Sequence, residues 1–229
     1  MKKLHLLVLV ISIMFGLIGC EKGVVTNDAS ADVFIKALTN SQGVTVYAAI
    51  HSVFSYNIMK SASVLAPDGT TTQLLNYQSQ GYSFYNEPID TDYKTTIPLV
   101  GVYTYTVTFN DGTVMTYTNS LSNSTILPPI VTLTKTTSGD SVYISWNAIA
   151  NVDFYRLKVQ NGTTQVFYAD GLVDNSSPKL TTLRMGFLKN SLTSGTGGIY
   201  TFTLTGLLYE STDYIYLQAV SSASKDITL

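Results

Sequence analysis

Cysteine is almost absent: the 229-residue chain has one, Cys20. No internal disulfide can form, and no thiolate cage for zinc can be assembled. Histidine is nearly as scarce, with His5 and His51 the only two. His5 falls in an N-terminal apolar run, which leaves His51 as a lone imidazole at the end of an expected strand. A Ser-His-Asp arrangement needs a nucleophile beside such a base, and the chain has no G-x-S-x-G elbow. Charged residues occupy only 12% of positions, and 13 Lys and Arg against 15 Asp and Glu give a formal charge of −2. There is therefore no basic footprint for nucleic acid. What is present is 45% hydrophobic and 11% aromatic residues, including 16 Tyr and 9 Phe. That is enough to fill a core and too much for a disordered chain.

The first twenty residues read MKKLHLLVLVISIMFGLIGC. Lys2 and Lys3 precede an apolar run over 4–18 broken by His5, Ser12 and Gly16. About 20 apolar residues are needed to cross the hydrocarbon layer, so the run reads as a secretory signal peptide over 1–19. Its end, Leu17-Ile18-Gly19-Cys20, resembles the lipobox of bacterial lipoproteins. The resemblance implies cleavage after Gly19 and acylation of Cys20, with each buried CH₂ contributing roughly 0.8 kcal/mol to membrane attachment. It implies a place in the bacterial cell envelope, with the outer membrane expected and the leaflet face left open. Loss of Lys2 and Lys3 leaves a formal charge near −4, so adhesion to anionic lipid by electrostatics is not expected. Residues 20–31 (CEKGVVTNDASA) are short, small and polar, as a lipidated tether would be.

From residue 32 onward, β-branched and aromatic residues alternate with Thr and Ser, punctuated by turn residues. The clearest stretch is 101–117, where Tyr103, Tyr105, Val107 and Phe109 share one face while Thr104, Thr106 and Thr108 share the other. Asn110-Asp111-Gly112 then supplies a tight hairpin turn. Further strands are expected over 33–38, 44–50 and 57–65, the last closed by Pro67-Asp68-Gly69. Leu127-Pro128-Pro129 cannot continue a central strand, and this places a boundary between residues 126 and 127. The expected fold is all-β, with two tandem β-sandwiches over 32–126 and 127–229.

Residues 141–159 (SVYISWNAIANVDFYRLKV) resemble strands B and C of a fibronectin type III domain, with Trp146 in the core position. Residues 200–220 (YTFTLTGLLYESTDYIYLQAV) resemble strand E, a leucine turn and strand F of the same family. The resemblance implies an insertion over 160–198 and only a short last strand over 225–229. Family spacing points Tyr214 and Tyr216 inward, but Ile215, Leu217 and Ala219 are the more apolar set and are expected to face the core. The first sandwich is similar to immunoglobulin-like domains in general. There Gly101-Val102-Tyr103 resembles the approach to a tyrosine corner.

Ligand chemistry is less legible. Tyr77, Tyr82, Phe84 and Tyr85 lie together in NYQSQGYSFYNE. These four are candidate ligand contacts, since Tyr offers broad area with a polar tip; equally, strands simply favour aromatics. Glu87, Asp90 and Asp92 gather the hard oxygen ligands that calcium takes, and equally form a solvated acidic loop. Gly195-Thr196-Gly197-Gly198 lacks the Lys-Ser/Thr of a phosphate loop and reads as a turn. Asp140-Ser141-Val142 resembles a glycosylation acceptor triplet of one bacterial phylum. No cleft with two carboxylates about 5–10 Å apart is evident, and no metal or cofactor is expected. The reading is a non-enzymatic, lipid-anchored envelope protein. It acts as a binding or spacer module, held to a membrane through Cys20 and meeting a protein or glycan ligand. The alternative is a glycan-binding accessory lipoprotein of an outer-membrane nutrient-uptake system.

Overall fold

A computed structural model describes residues 26–139, 141–173, 182–192 and 198–229. The lipobox with Cys20, Asp140 and the glycines at 195 and 197 lie outside the described residues. Apart from two 3₁₀ turns and one helical turn, Lys189–Leu192, the secondary structure described is strand.

In the first half, β1 (Ser30–Thr39), β2 (Thr45–Phe54), β6 (Ser83–Asn86) and β5 (Leu75–Asn76) are hydrogen-bonded in that order. They face a sheet ordered β4 (Thr71–Gln73), β3 (Met59–Leu65), β7 (Gly101–Phe109) and β8 (Val114–Leu121). The alternation in β7 does what it promises: Tyr103, Tyr105, Val107 and Phe109 are all buried. They pack on Val33, Ile35, Val53 and Val64. Gly112 takes φ +88° in the β7–β8 turn, where a side chain would be strained.

The strand expected over 44–50 runs on through His51 to Phe54. His51 is therefore not a strand-end side chain. It lies on the inward face, 7% exposed, with its ring centroid 5.2 Å from that of Tyr103. The Tyr105 hydroxyl has one proton and donates it to the Asp32 carbonyl at 2.7 Å. His51 must then donate from Nδ1 to the Tyr105 oxygen, 3.1 Å away, which fixes the neutral tautomer. Burial pushes the imidazole pKa down to about 4.

In the second half, β9 (Val131–Lys135), β10 (Ser141–Asn147) and β13 (Thr182–Leu188) form a sheet ordered β13-β10-β9. Opposite it, β11 (Phe154–Asn161), β12 (Thr164–Leu172), β14 (Ile199–Tyr209) and β15 (Leu217–Thr228) are ordered β12-β11-β14-β15. Val142, Ile144 and Trp146 from one sheet meet Leu157, Val159, Phe202 and Leu204 from the other. The strand equivalences expected from the sequence are corrected by one step. Residues 199–209 pair with β11, the strand C position, along Phe154↔Leu207 to Asn161↔Tyr200. They are strand F, because strand E belongs in the sheet of strand B. The strand E position is held by β13, which pairs with β10 from Ser141↔Leu188 to Asn147↔Thr182. The supposed insertion over 160–198 thus holds β12 and β13, and the short last strand is the end of the twelve-residue β15.

Facing in β15 also differs from expectation. Ile215 is exposed, because the strand starts only at Leu217. Leu217 pairs with Tyr209 and Ala219 with Leu208, so Gln218 is one residue too many. This bulge turns Leu217 to the opposite face from Ala219. Ala219 is buried, and Gln218 escapes an unpaired burial by donating from Nε2 to Ser122 Oγ at 2.6 Å.

The two halves are not merely strung together. Strand β15 pairs in parallel with β1 through Ile35↔Ala219, Lys36↔Val220, Ala37↔Ser221 and Leu38↔Ser222. One eight-stranded sheet, β12-β11-β14-β15-β1-β2-β6-β5, therefore runs through both sandwiches. Its outer face buries Phe34, Val46, Ile50, Tyr93, Leu207 and Val220 at the seam. Ile126, in the connection between halves, is buried as well. Just beyond the ladder, Asp32 Oδ2 accepts from the Leu217 amide at 3.0 Å, while Asp32 Oδ1 is buried with no partner among the described residues. Burial raises the Asp32 pKa to about 6, opposed by the Leu217 hydrogen bond and reinforced by Glu210.

These two groups, His51 buried and Asp32 half-buried, titrate with opposite signs. Asp32, raised from 3.8 to about 6, favours the folded state most at low pH and loses that contribution as pH rises through 6. His51, lowered from 6.5 to about 4, favours the folded state fully above 6.5 and loses that contribution as pH falls through 4. Each is on the order of 3 kcal/mol, and the two offset each other between roughly pH 4 and 6. Urea midpoints across that range should separate them. Relative to the native chain, Asp32→Asn should lose stability steadily on acidification, and His51→Phe should gain it. Parallel curves for all three proteins would show that neither group is buried as described.

Candidate ligand-binding face

The four aromatic residues singled out in the sequence do not form one patch. Strand alternation divides the last two: Phe84 points into the first core with 3% exposure, while Tyr85 lies on the opposite face of β6. Phe84 is therefore a packing residue, and its ring is not available to a ligand. Tyr77 and Tyr82 are exposed. Both lie in the connection before β6, where Gly81 takes φ +79° and an added Cβ would sit 2.9 Å from Met59 O. The acidic trio separates too. Glu87 accepts from Lys36, from Tyr85 OH at 2.6 Å and from Tyr93 OH at 2.9 Å, whereas Asp90 and Asp92 stand in an exposed 3₁₀ turn. Burial works to raise the Glu87 pKa, and the bonds from Lys36, Tyr85 and Tyr93 outweigh it, so the carboxylate stays ionised. Among the described residues no group of three or more His, Cys, Asp or Glu is placed to hold a metal ion.

Tyr85 instead joins a larger surface. On the outer face of the continuous sheet, across the seam, lies a groove of about 430 Å³. Its floor is apolar, made by Phe34, Leu207, Leu217 and Val220. On the side of the first sandwich stand Lys36 and Tyr85, tied together through Glu87. On the side of the second stand Arg156, Lys158 and Tyr168. Arg156 donates from Nη2 and Nε to Asp170 Oδ2 at 2.7 and 3.1 Å, and Tyr168 OH donates to the same oxygen at 2.9 Å. The guanidinium lies 5.8 Å from the Tyr168 ring centroid. The Arg156 bond holds the Asp170 pKa below its ordinary value. Thr203, Thr205 and Ser222 add hydroxyls between the two sides.

Chemically the groove offers an apolar floor that is mostly buried, phenol rings with fixed hydroxyls and cations held in place by carboxylates. Such a set can stack on a ring and hydrogen-bond a polar rim. Only Tyr85 of this group was marked by the sequence reading. The alternation was visible for Arg156 and Lys158, which lie between the core residues Tyr155, Leu157 and Val159. What places them beside Lys36 is the seam, which no local pattern announces.

No family model matches the chain, and no curated protein matches it. Among solved structures it is similar to a segment of two fibronectin type III domains from chicken tenascin, at 15% identity and TM-score 0.31, over 89% of this chain and 100% of that one. It is similar also to the FN1–FN3 domains of chicken CNTN1, at 11% identity and TM-score 0.28, over 88% of this chain and 64% of that one. A third is a tetra-tandem repeat in the extending region of a large adhesion protein, at 15% identity and TM-score 0.29, over 87% of this chain and 50% of that one. The functional reading rests on the side chains.

The division of the aromatic stretch is directly testable. Phe84→Ala should lower unfolding stability by about 3–5 kcal/mol, whereas Tyr77→Ala, at an exposed site, should change it by roughly 0.5 kcal/mol or less. Similar urea midpoints for both variants would contradict the placement of Phe84 in the core.

Proposed function

We propose that the protein is a lipid-anchored, non-catalytic binding module of the bacterial cell envelope, with two sandwich domains over 32–126 and 127–229. Acylated Cys20 supplies the attachment, and the outer face of the shared sheet supplies the contact surface. The observation that carries the binding reading is the groove at the seam, where Tyr85 and Lys36 from one sandwich face Arg156 and Tyr168 from the other. Neither sandwich alone holds both sides. The immunoglobulin-like reading of the first half is supported by its strand order and by Tyr103 OH, which donates to Leu99 O at 2.8 Å in the manner of a tyrosine corner.

A glycan ligand is the second reading, and Tyr168 favours it. Its ring is exposed beside the Arg156–Asp170 pair, a combination suited to stacking on a sugar while bonding its hydroxyls. Affinity gels cast with a panel of polysaccharides test both readings together. Retardation by one glycan should weaken on the order of 30-fold in Arg156→Ala and Tyr168→Ala, the loss of one central contact each. Retardation unchanged by either substitution would remove the groove as the site. Mass spectrometry of the N-terminal peptide should find acyl chains on Cys20, and Cys20→Ser should move the protein to the soluble fraction. An unmodified Cys20 would overturn the anchoring.

A further inference from the structure

A second surface lies at the end of the molecule where the described chain begins. The stretch expected to be a free tether is bonded to the body from Thr26 onward. Thr26 O accepts from Asn57 Nδ2 at 3.1 Å, Asp28 O accepts from Ser55 Oγ at 2.5 Å, and Asn27 Nδ2 donates to Asp111 Oδ2 at 2.7 Å. Residues 26–28 are thus fixed beside the β2–β3 connection and the β7–β8 turn. Around that point stands a rim of apolar side chains that neither core uses. Tyr56 is 89% exposed and meets exposed Phe54 edge to face, with ring centroids 5.0 Å apart. Ile58 is exposed two residues on, and exposed Tyr82 is held close by its carbonyl, which accepts from the Ser55 amide at 2.9 Å. Exposed Ile215 precedes Tyr216, whose OH accepts from Ser30 Oγ at 3.3 Å. A hollow of about 510 Å³ opens between Tyr56 and Tyr216.

Chain length says what covers this rim. Six residue steps separate Cys20 from Thr26, and an extended chain spans at most about 3.6 Å per residue. Thr26, beside which the rim stands, therefore cannot lie more than roughly 22 Å from an acylated Cys20. Tyr and Phe partition favourably into the headgroup region, where the ring is sheltered and a phenol stays wet. Asp28 and Asp111 stand at the same end, so anionic headgroups are not what attracts it. We propose that Phe54, Tyr56, Ile58, Tyr82 and Ile215 seat on the lipid–water interface of the membrane that holds Cys20. The acyl chains then supply attachment and the rim supplies orientation. This inference rests on the acylation of Cys20.

The test uses the acylated Tyr56→Trp protein in phosphatidylcholine vesicles. Tyr56 is solvent-exposed and Trp146 is buried in the second core, so the substitution leaves the fold intact and the new emission stands apart from the native one. Seating predicts that the added emission shifts to the blue and is quenched by lipids brominated near the headgroup, equally at low and high salt. Emission that stays at its solvent value in vesicle-bound, acylated protein overturns the seating and leaves the anchor standing. A shift that grows with the protein-to-lipid ratio assigns the rim to a second copy of the chain and also overturns it. An N-terminal peptide without acyl chains removes the anchor, and with it this inference.

Discussion

Four residue pairs decide the shape of this molecule. The parallel ladder from Ile35↔Ala219 to Leu38↔Ser222 joins the first strand of one sandwich to the last strand of the other. Two edges that would each present unpaired backbone groups are satisfied by one another. The seam is covered on its outer side by Phe34, Val46, Ile50, Leu207 and Val220, so the ladder is sheltered as well as bonded. Asp32 closes its beginning through the Leu217 amide, and Ser122 takes the side-chain amide of Gln218 across the connection. A chain that would otherwise be two beads on a string becomes one continuous sheet with two cores behind it.

The proposed binding face depends on that sheet. A face of alternating strands in a single sandwich is narrow, whereas the joined face spans both halves. The joining of β1 to β15 brings Lys36 of β1 and Tyr85 of β6 into one groove with Arg156 and Tyr168. The surface near Thr26 is separate from this face and is made of loops, turns and the end of β2. One molecule thus carries a polar, aromatic groove on its sheet and an apolar rim at its N-terminal end, which suits them to different partners.

Much of the architecture was legible in the sequence because alternation is a local signal. Tyr103 to Phe109 declared one buried face, Asn110-Asp111-Gly112 declared a turn, and Trp146 declared a core strand. The errors arose where non-local pairing decides. Residues 200–209 read as strand E because alternation cannot say which sheet a strand joins, and only pairing with β11 makes them strand F. A period of two over 215–219 points Leu217 inward with Ala219, but the bulge at Gln218 turns it outward, and Ile215 lies before the strand begins. Strand β1 did carry an overlooked clue: Val33-Phe34-Ile35 is apolar without interruption, as befits a strand buried on both faces. The groove was nearly invisible, since Lys36 and Arg156, on its two sides, are 120 residues apart in the chain and meet through that strand.

The most direct test of the account is the alignment of the two halves in solution. Residual dipolar couplings of backbone amides should fit a single alignment tensor across the strands β1–β8 and β9–β15, as one continuous sheet requires. Two independent tensors of different magnitude would mean that β1 and β15 are not joined, and the shared face and its groove would go with them.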